Sequence, residues 1–176
     1  MACPYFVPTE KWDSGGWLHP SRLPLGGGWQ GQCSSPGHEQ AQLEESEVRE
    51  LCNLGYAKNC SRLPDNRQFD AVRFCVTTDR DQHLLISFTG ESAHLPVEHK
   101  QLEFDVLQMQ WTMPHPDSRI QKQADCYIQS YLQRRTKTPP TFSRNASSSM
   151  TPTGIVASLE FSPPGSSIGP DVRRSS

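Results

Sequence analysis

Long hydrophobic runs are missing from this chain, and no stretch of its 176 residues approaches the roughly 18 apolar residues that a membrane-spanning helix needs. Apolar residues make up only 34% of the sequence, against roughly 45–50% in an average globular chain when glycine is also counted. The sequence therefore predicts no membrane-spanning helix, and its composition predicts that only part of the chain encloses a hydrophobic core.

Excess positive charge is missing as well, since the net charge is −2 and the isoelectric point is about 6.3. Proteins that bind nucleic acid without sequence preference are strongly basic, so we expect no nucleic-acid partner. The charge also gives no reason to expect a membrane partner. Residues 1–8 lack the basic start and apolar stretch of a signal peptide. We therefore expect a cytoplasmic protein, whose cysteines stay reduced.

Six cysteines are present, and four of them are the main candidates for a functional site. Cys52 and Cys60 flank the end of a predicted helix, and Cys3 and Cys33 lie upstream in a segment rich in proline and glycine. In a reducing compartment, grouped cysteines indicate metal ligands or catalytic groups before disulfides. The pattern predicts a metal centre with Cys3, Cys33, Cys52 and Cys60 as its ligands.

The spacing of these cysteines bears on the metal. Thiolates are soft, charged donors that hold zinc ions or iron–sulfur clusters. Zinc sites usually contain two cysteines separated by two to four residues, and the chain has no such pair. Cys3 precedes Pro4, as a ligand precedes proline in bacterial iron–sulfur patterns. We therefore expect an iron–sulfur cluster ahead of zinc, with Trp12, Trp17 and Trp29 shielding it.

The alternative is that the cysteines are ordinary buried residues, because a free cysteine packs like a small apolar side chain. Cys75, on a predicted strand, is the reserve ligand. Cys126 falls off the apolar stripe of a predicted helix, so we expect it to face solvent. The glycine run at 26–28 does not resemble a phosphate-binding loop, because no predicted strand leads into it and no Lys-Ser/Thr pair follows.

Hydrophobic periodicity predicts an α+β fold. A helix is expected at 40–54, with an acidic outer face. Alternating apolar residues predict a β-hairpin of strands 70–77 and 83–88, and a third strand at about 101–107. After two prolines, an apolar stripe predicts a helix at 117–135 that covers the sheet.

These elements define one predicted domain, residues 1–136, and a tail. The domain comprises an irregular cysteine-containing N-terminal arm and a three-stranded antiparallel sheet under a C-terminal helix. Residues 137–176 are dominated by Ser, Thr, Pro and Gly, which is typical of a disordered tail. Within the tail, the apolar patch 155–161 is a candidate docking motif for a protein partner.

Two classes of function stay open at this stage. The first is a small cytoplasmic metal-binding protein, with an iron–sulfur cluster or zinc, acting as a redox carrier, sensor or accessory factor. The second is a metal-free interaction module whose tail folds on a partner. No single motif pairs a nucleophile with a base, so an enzyme is the least supported class.

Overall fold

The computed structural model describes residues 1–39, 41–56 and 59–137. The strands and α-helices are β1 (Phe6–Lys11), β2 (Trp29–Cys33), α1 (Glu45–Glu47), β3 (Ala71–Arg80), β4 (His83–Ser92), β5 (Leu95–Asp105), β6 (Gln110–Met113) and α2 (Ser118–Lys137). A 3-10 turn, Pro20–Arg22, precedes β2, and a π-helical turn, Val48–Asn53, continues α1. Within these residues, no helix is both long and apolar enough to cross a membrane. The predicted patch at 155–161 lies outside the described residues.

Strands β3 to β6 form one antiparallel sheet in sequence order. Successive side chains of a strand point to opposite faces, so the apolar residues of each strand gather on one face. Across the strands, Phe74 pairs with Phe88 and Ile86 pairs with Leu102, and all four side chains are buried. The predicted hairpin at 70–77 and 83–88 is confirmed by this register.

The predicted three-stranded sheet is wrong, because the sheet has four strands. Strand β5 begins earlier than expected, at Leu95, and β6 adds a short edge. The predicted irregular arm is also wrong, because β1 and β2 pair into a second, two-stranded sheet. Pro8 lies in β1, where the register shifts between Pro8 and Glu10. A proline is tolerated there because both strands of a two-stranded sheet are edges.

The predicted helix at 40–54 is shorter in the structure and changes type along its length. It begins at Glu45, after Glu44 and Glu47 form a reciprocal capping box. From Val48 onward it is a π-helical turn, and the buried Asn53 side chain donates a hydrogen bond to the Val48 carbonyl over 3.0 Å. The carboxamide of Asn53 thus closes the end of the turn.

Helix α2 contacts both sheets, which widens its buried side beyond the predicted stripe. The Tyr127 ring stacks on Phe74 at 5.8 Å between centroids. On another side, Gln123 Nε2 donates to the carbonyl oxygen of Phe6 over 2.7 Å. The prediction that Cys126 faces solvent is therefore wrong, because this residue is only 4% exposed.

Candidate functional site

The structure brings together the four cysteines that the sequence analysis singled out. Cys3, Cys33, Cys52 and Cys60 line one cavity of about 10 Å³, which we call the thiol cavity. The backbone N–H of Cys3 donates to the carbonyl of Cys52 over 3.1 Å, so the chain start lies beside the π-helical turn. Because about 10–15 Å³ holds one water molecule, the cavity has room for little more than a single small group.

The four thiols differ in their exposure. Cys3 and Cys52 are buried, whereas Cys33 and Cys60 are partly exposed. Burial is the main reason why the pKa of the Cys3 thiol is raised to about 12, and the neighbouring Cys33 and Cys60 contribute to the rise. Burial is also the main reason why the pKa of Cys52 lies far above its ordinary value. Both buried thiols are therefore protonated and neutral at physiological pH.

The walls of the thiol cavity are largely apolar, and an ion pair borders it. Arg62 Nη1 lies 2.6 Å from Glu47 Oε1 at this border. The remaining lining side chains are Tyr5, Phe6, Ser35, Leu43, Leu51 and Leu63. This largely apolar lining offers few additional donors for a ligand.

The prediction of a metal-binding protein is wrong. In the part of the chain that the structure describes, no group of three or more His, Cys, Asp or Glu side chains could hold a metal ion. The four cysteines line one cavity, but they do not form such a group. Trp12, Trp17 and Trp29, expected to shield a cluster, do not line this cavity.

A second cavity, of about 300 Å³, lies beside the glycine run, and we call it the glycine-loop pocket. It is bounded by the end of β1, by the loop before β2 and by the last turns of α2. The lining residues are Lys11, Trp12, Asp13, Trp17, Pro20, Ser21, Gly26, Gly27, Gly28, Ser130, Gln133 and Arg134. Sequence analysis missed this site because its parts come from opposite ends of the described chain.

The glycines of this loop are required by what packs on them. Gly26 has a φ of +68°, and Arg134 Nη1 donates to its carbonyl oxygen over 2.5 Å. A Cβ at Gly26 would come within 2.7 Å of the same guanidinium nitrogen. A Cβ at Gly28 would overlap the indole of Trp17. The loop therefore lies flat against an arginine on one side and a tryptophan on the other.

Gly27 differs from its neighbours because a Cβ there would meet side chains at no less than 3.3 Å, without the overlaps found at Gly26 and Gly28. A Cβ there would be 3.3 Å from Ser130 Oγ, 3.5 Å from Lys11 Cε and 3.9 Å from Trp29 Nε1. All three side chains carry hydrogen-bond donors. The backbone at Gly27 is thus bordered by donor-bearing side chains of β1, β2 and α2.

Two of these donors make no hydrogen bond within the described structure. Ser130 is 1% exposed and Trp29 is 3% exposed. Neither Ser130 Oγ nor Trp29 Nε1 has a hydrogen-bond partner among the described residues. Leaving a polar group buried without a partner costs about 1–3 kcal/mol. Such groups are rare enough in native proteins that each one calls for an explanation.

The charges at the glycine-loop pocket are mainly positive. Lys11 Nζ donates a hydrogen bond to Gln133 Oε1, and Arg134 lies over the loop. The one acid in the lining, Asp13, lies 3.8 Å from Lys11 Nζ, and its side chain is 85% exposed. Water screens so exposed a carboxylate, so the donors and the two cations define an environment suited to an anion.

No known protein family, curated protein or solved structure matches this chain. Function is therefore argued from the geometry of the two cavities.

Proposed function

We propose that this protein binds a small organic anion in the glycine-loop pocket. The observation that carries the proposal is the pair of buried donors, Ser130 Oγ and Trp29 Nε1, which lack partners in the described structure beside Gly27. A carboxylate or phosphate oxygen that enters beside Gly27 accepts from Ser130 Oγ, which lines the pocket, and from Trp29 Nε1, which is near Gly27 but not part of the lining. A bound anion thus removes the energetic penalty that the two donors otherwise carry.

The cations strengthen this preference for an anion. Hydrogen bonds between a cationic donor and an anionic oxygen are roughly twice as strong as those between neutral groups. Lys11 carries its charge next to the space at Gly27, with its Cε 3.5 Å from the position that a Cβ would take. Arg134 lies over the adjoining Gly26. Together they favour an acid group over a neutral ligand of the same shape.

The size of the pocket indicates a ligand with a body attached to its acid group. A volume of about 300 Å³ lies at the lower end of the range of roughly 300–1,000 Å³ for small-molecule sites. It exceeds what a single carboxylate or phosphate fills. Trp12 and Trp17 form an aromatic wall of the pocket, with their rings in edge contact at 5.6 Å. This wall suits an apolar or planar ligand body.

The proposal is tested by titrating the full chain with phenyl phosphate, benzoate and inorganic phosphate in separate experiments. Binding is followed by tryptophan fluorescence and by the rise in melting temperature that any ligand of the folded state produces. We expect phenyl phosphate or benzoate to bind with saturation, and inorganic phosphate to bind more weakly. The first two probes distinguish a phosphate head group from a carboxylate.

Three variants and a control locate the site. Ser130→Ala removes a buried hydroxyl that has no partner, so the fold keeps its stability while affinity falls about tenfold or more, as for a lost hydrogen bond to a charged group. Gly27→Ala fills the space beside the donors and should abolish binding. Lys11→Gln should weaken it. Lys122→Gln removes the same charge from an exposed position of α2 and should leave binding unchanged.

Two results would overturn the proposal. One is a wild-type protein that responds to none of the three anions. The other is binding that survives both Ser130→Ala and Gly27→Ala, because the ligand would then lie elsewhere. The cytoplasmic location, and a protein partner for residues 137–176, stay predictions from the sequence.

A further inference from the structure

The thiol cavity offers a chemistry that does not depend on the anion proposal. All six cysteines are free thiols, and four of them border the same small space. Cys33 and Cys60 are the two that solvent reaches, because Cys3 and Cys52 are buried. A reagent from solution therefore meets the outer two thiols first.

The segments that carry the outer thiols are tied together. Ser35 Oγ donates a hydrogen bond to the Arg62 carbonyl oxygen, and Ser35 is completely buried. Each of these residues lies two positions after a cysteine, Cys33 and Cys60 respectively. The chain then turns at Cys60, whose carbonyl accepts from the N–H of Leu63 over 3.1 Å. The two cysteines are thus held on adjoining segments and border one cavity.

A cation lies near both outer thiols. The Arg62 guanidinium is close enough to Cys60 and Cys33 to interact with their charges. It is held in place by two hydrogen bonds to Glu47, of 2.6 and 3.2 Å. The thiolate is the nucleophile in thiol–disulfide exchange, and Arg62 places a positive charge beside the site of that exchange.

We propose that Cys33 and Cys60 are an oxidisable pair that closes to a reversible disulfide with a low-molecular-weight disulfide as oxidant. Both thiols line the same small cavity, and closing the bond brings their sulfurs to about 2.05 Å. Cys3 and Cys52 stay reduced behind them. The site is thus a place of covalent modification.

The exchange balances with glutathione disulfide as oxidant. The Cys60 thiolate attacks one sulfur of glutathione disulfide, which forms a mixed disulfide and releases one glutathione thiolate. The Cys33 thiolate then attacks the Cys60 sulfur, forms the intramolecular bond and releases the second glutathione. The two protons of the protein thiols end on the two glutathione molecules. The protein loses two electrons, and glutathione disulfide gains them.

The test uses the reduced full chain, incubated with glutathione disulfide, quenched with an alkylating reagent and measured by mass spectrometry. We expect a species that has lost two hydrogens and retains four alkylated cysteines. Peptide mapping without reduction should join Cys33 to Cys60, and dithiothreitol should reverse the change. This measurement needs only the wild-type protein, so it does not depend on whether a variant folds.

Variants then confirm the pair. Cys33→Ser and Cys60→Ser should each abolish the closed species, whereas Cys75→Ser, at an exposed position of β3, should leave it intact. A mapped bridge between Cys3 and Cys52 would overturn the proposal. So would a wild-type protein that stops at mixed disulfides with glutathione, or a closed species that persists in Cys60→Ser.

Discussion

The four-stranded sheet and the segment before it, residues 1–63, satisfy their buried backbone groups by different means. In the sheet, each strand pairs with its neighbour along most of its length, so the ladder supplies the partners. In the N-terminal segment, the short β1–β2 ladder and scattered backbone bonds are supplemented by bonds from single side chains. Asn53 bonds both the N–H and the carbonyl of Trp29, over 3.1 and 2.8 Å. Gln123 Nε2 bonds the carbonyl of Cys3 over 2.8 Å.

The sheet should therefore tolerate replacement of its side chains better than the N-terminal segment does. A ladder hydrogen bond survives replacement of the side chain, because both of its groups belong to the backbone. A bond from Asn53 or Gln123 is lost with the side chain, and a buried backbone group is then left without a partner. Both cavities are lined largely by the N-terminal segment. The functional region is therefore the region that depends on individual polar side chains.

The largest effect is expected for Asn53→Ala, which tests that dependence directly. The change removes three hydrogen bonds, two to Trp29 and one to the Val48 carbonyl, at a residue that is 1% exposed. Because the buried groups of Trp29 lose their partners, we expect the free energy of unfolding to fall by about 3 kcal/mol. Urea denaturation followed by tryptophan fluorescence measures the loss.

The matched control for this change is Asn59→Ala, in the loop after the π-helical turn. Asn59 is exposed, so its replacement should change the free energy of unfolding by less than about 0.5 kcal/mol. An equal, small effect of both variants would contradict the idea that this segment depends on single polar side chains in addition to its short ladder.

The same contrast explains which parts of the fold could be predicted from the sequence. Strands β3 and β4 follow from alternating apolar residues, since a half-buried strand has a period of two. Strand β6 is short, and Trp111 is its one large side chain that packs against the core, so periodicity has little to detect. Strands β1 and β2 are held by the pairing itself and by Asn53. Their sequences, with Pro8 and Gly31, give no strand pattern.

The candidate sites were harder to predict, for a geometric reason. The glycine-loop pocket joins Gly27 to Ser130, far apart in the chain, and a buried hydroxyl becomes a candidate donor only when nothing else accepts from it. Sequence rules do not select glycines 26–28 as a phosphate-binding loop, because here the strand comes after the loop. The cysteine pattern indicated which thiols gather. It carried no information on whether the side chains form a group that could hold a metal ion, and the metal prediction failed because, in the part of the chain that the structure describes, they do not form one.

A smaller effect on stability is expected from the titration of His115, whose polar ring is buried against the apolar face of the sheet. It is 6% exposed and lies 4.6 Å from the Phe88 ring, measured between centroids. Burial lowers the pKa of His115, and the nearby Lys100 lowers it further. The unfolded chain therefore binds a proton below about pH 6.5 that the folded chain does not. Stability should fall with pH below that value, by at most about 1.4 kcal/mol per pH unit from this group.

The measurement is a set of urea denaturations at pH 7.5, 6.5 and 5.5 for the wild type and for His115→Asn. Asn retains an acceptor in place of His115 Nδ1, which accepts from the N–H of Asp117 over 3.1 Å. Other groups titrate alike in both proteins, so the difference in pH dependence reports His115. We expect a shallower loss of stability in the variant. Parallel curves would show that His115 is protonated equally in the two states.

The smallest effect is expected in the turn between β3 and β4, where the backbone of the four-stranded sheet is strained. Asp81 and Gln82 have φ values of 47° and 76°, the positive angles of a type I′ turn. An L-residue other than glycine is strained there, by roughly 1–2 kcal/mol. Gln82→Gly gives the favoured Asp-Gly sequence, and glycine loses more chain entropy on folding. The net result should be a gain of about 1 kcal/mol in the free energy of unfolding.

The control is Gln82→Ala, which removes the same exposed side chain and keeps the Cβ. The backbone bond from the Val106 N–H to the Gln82 carbonyl, 2.8 Å long, is available to both variants. Denaturation in urea should therefore rank glycine above alanine, and alanine no higher than the wild type. If the two variants were equally stable, strain at this turn would be absent. The sheet would then have no counterpart to the sensitivity of the N-terminal segment, because its turns, like its ladder, would tolerate replacement of their side chains.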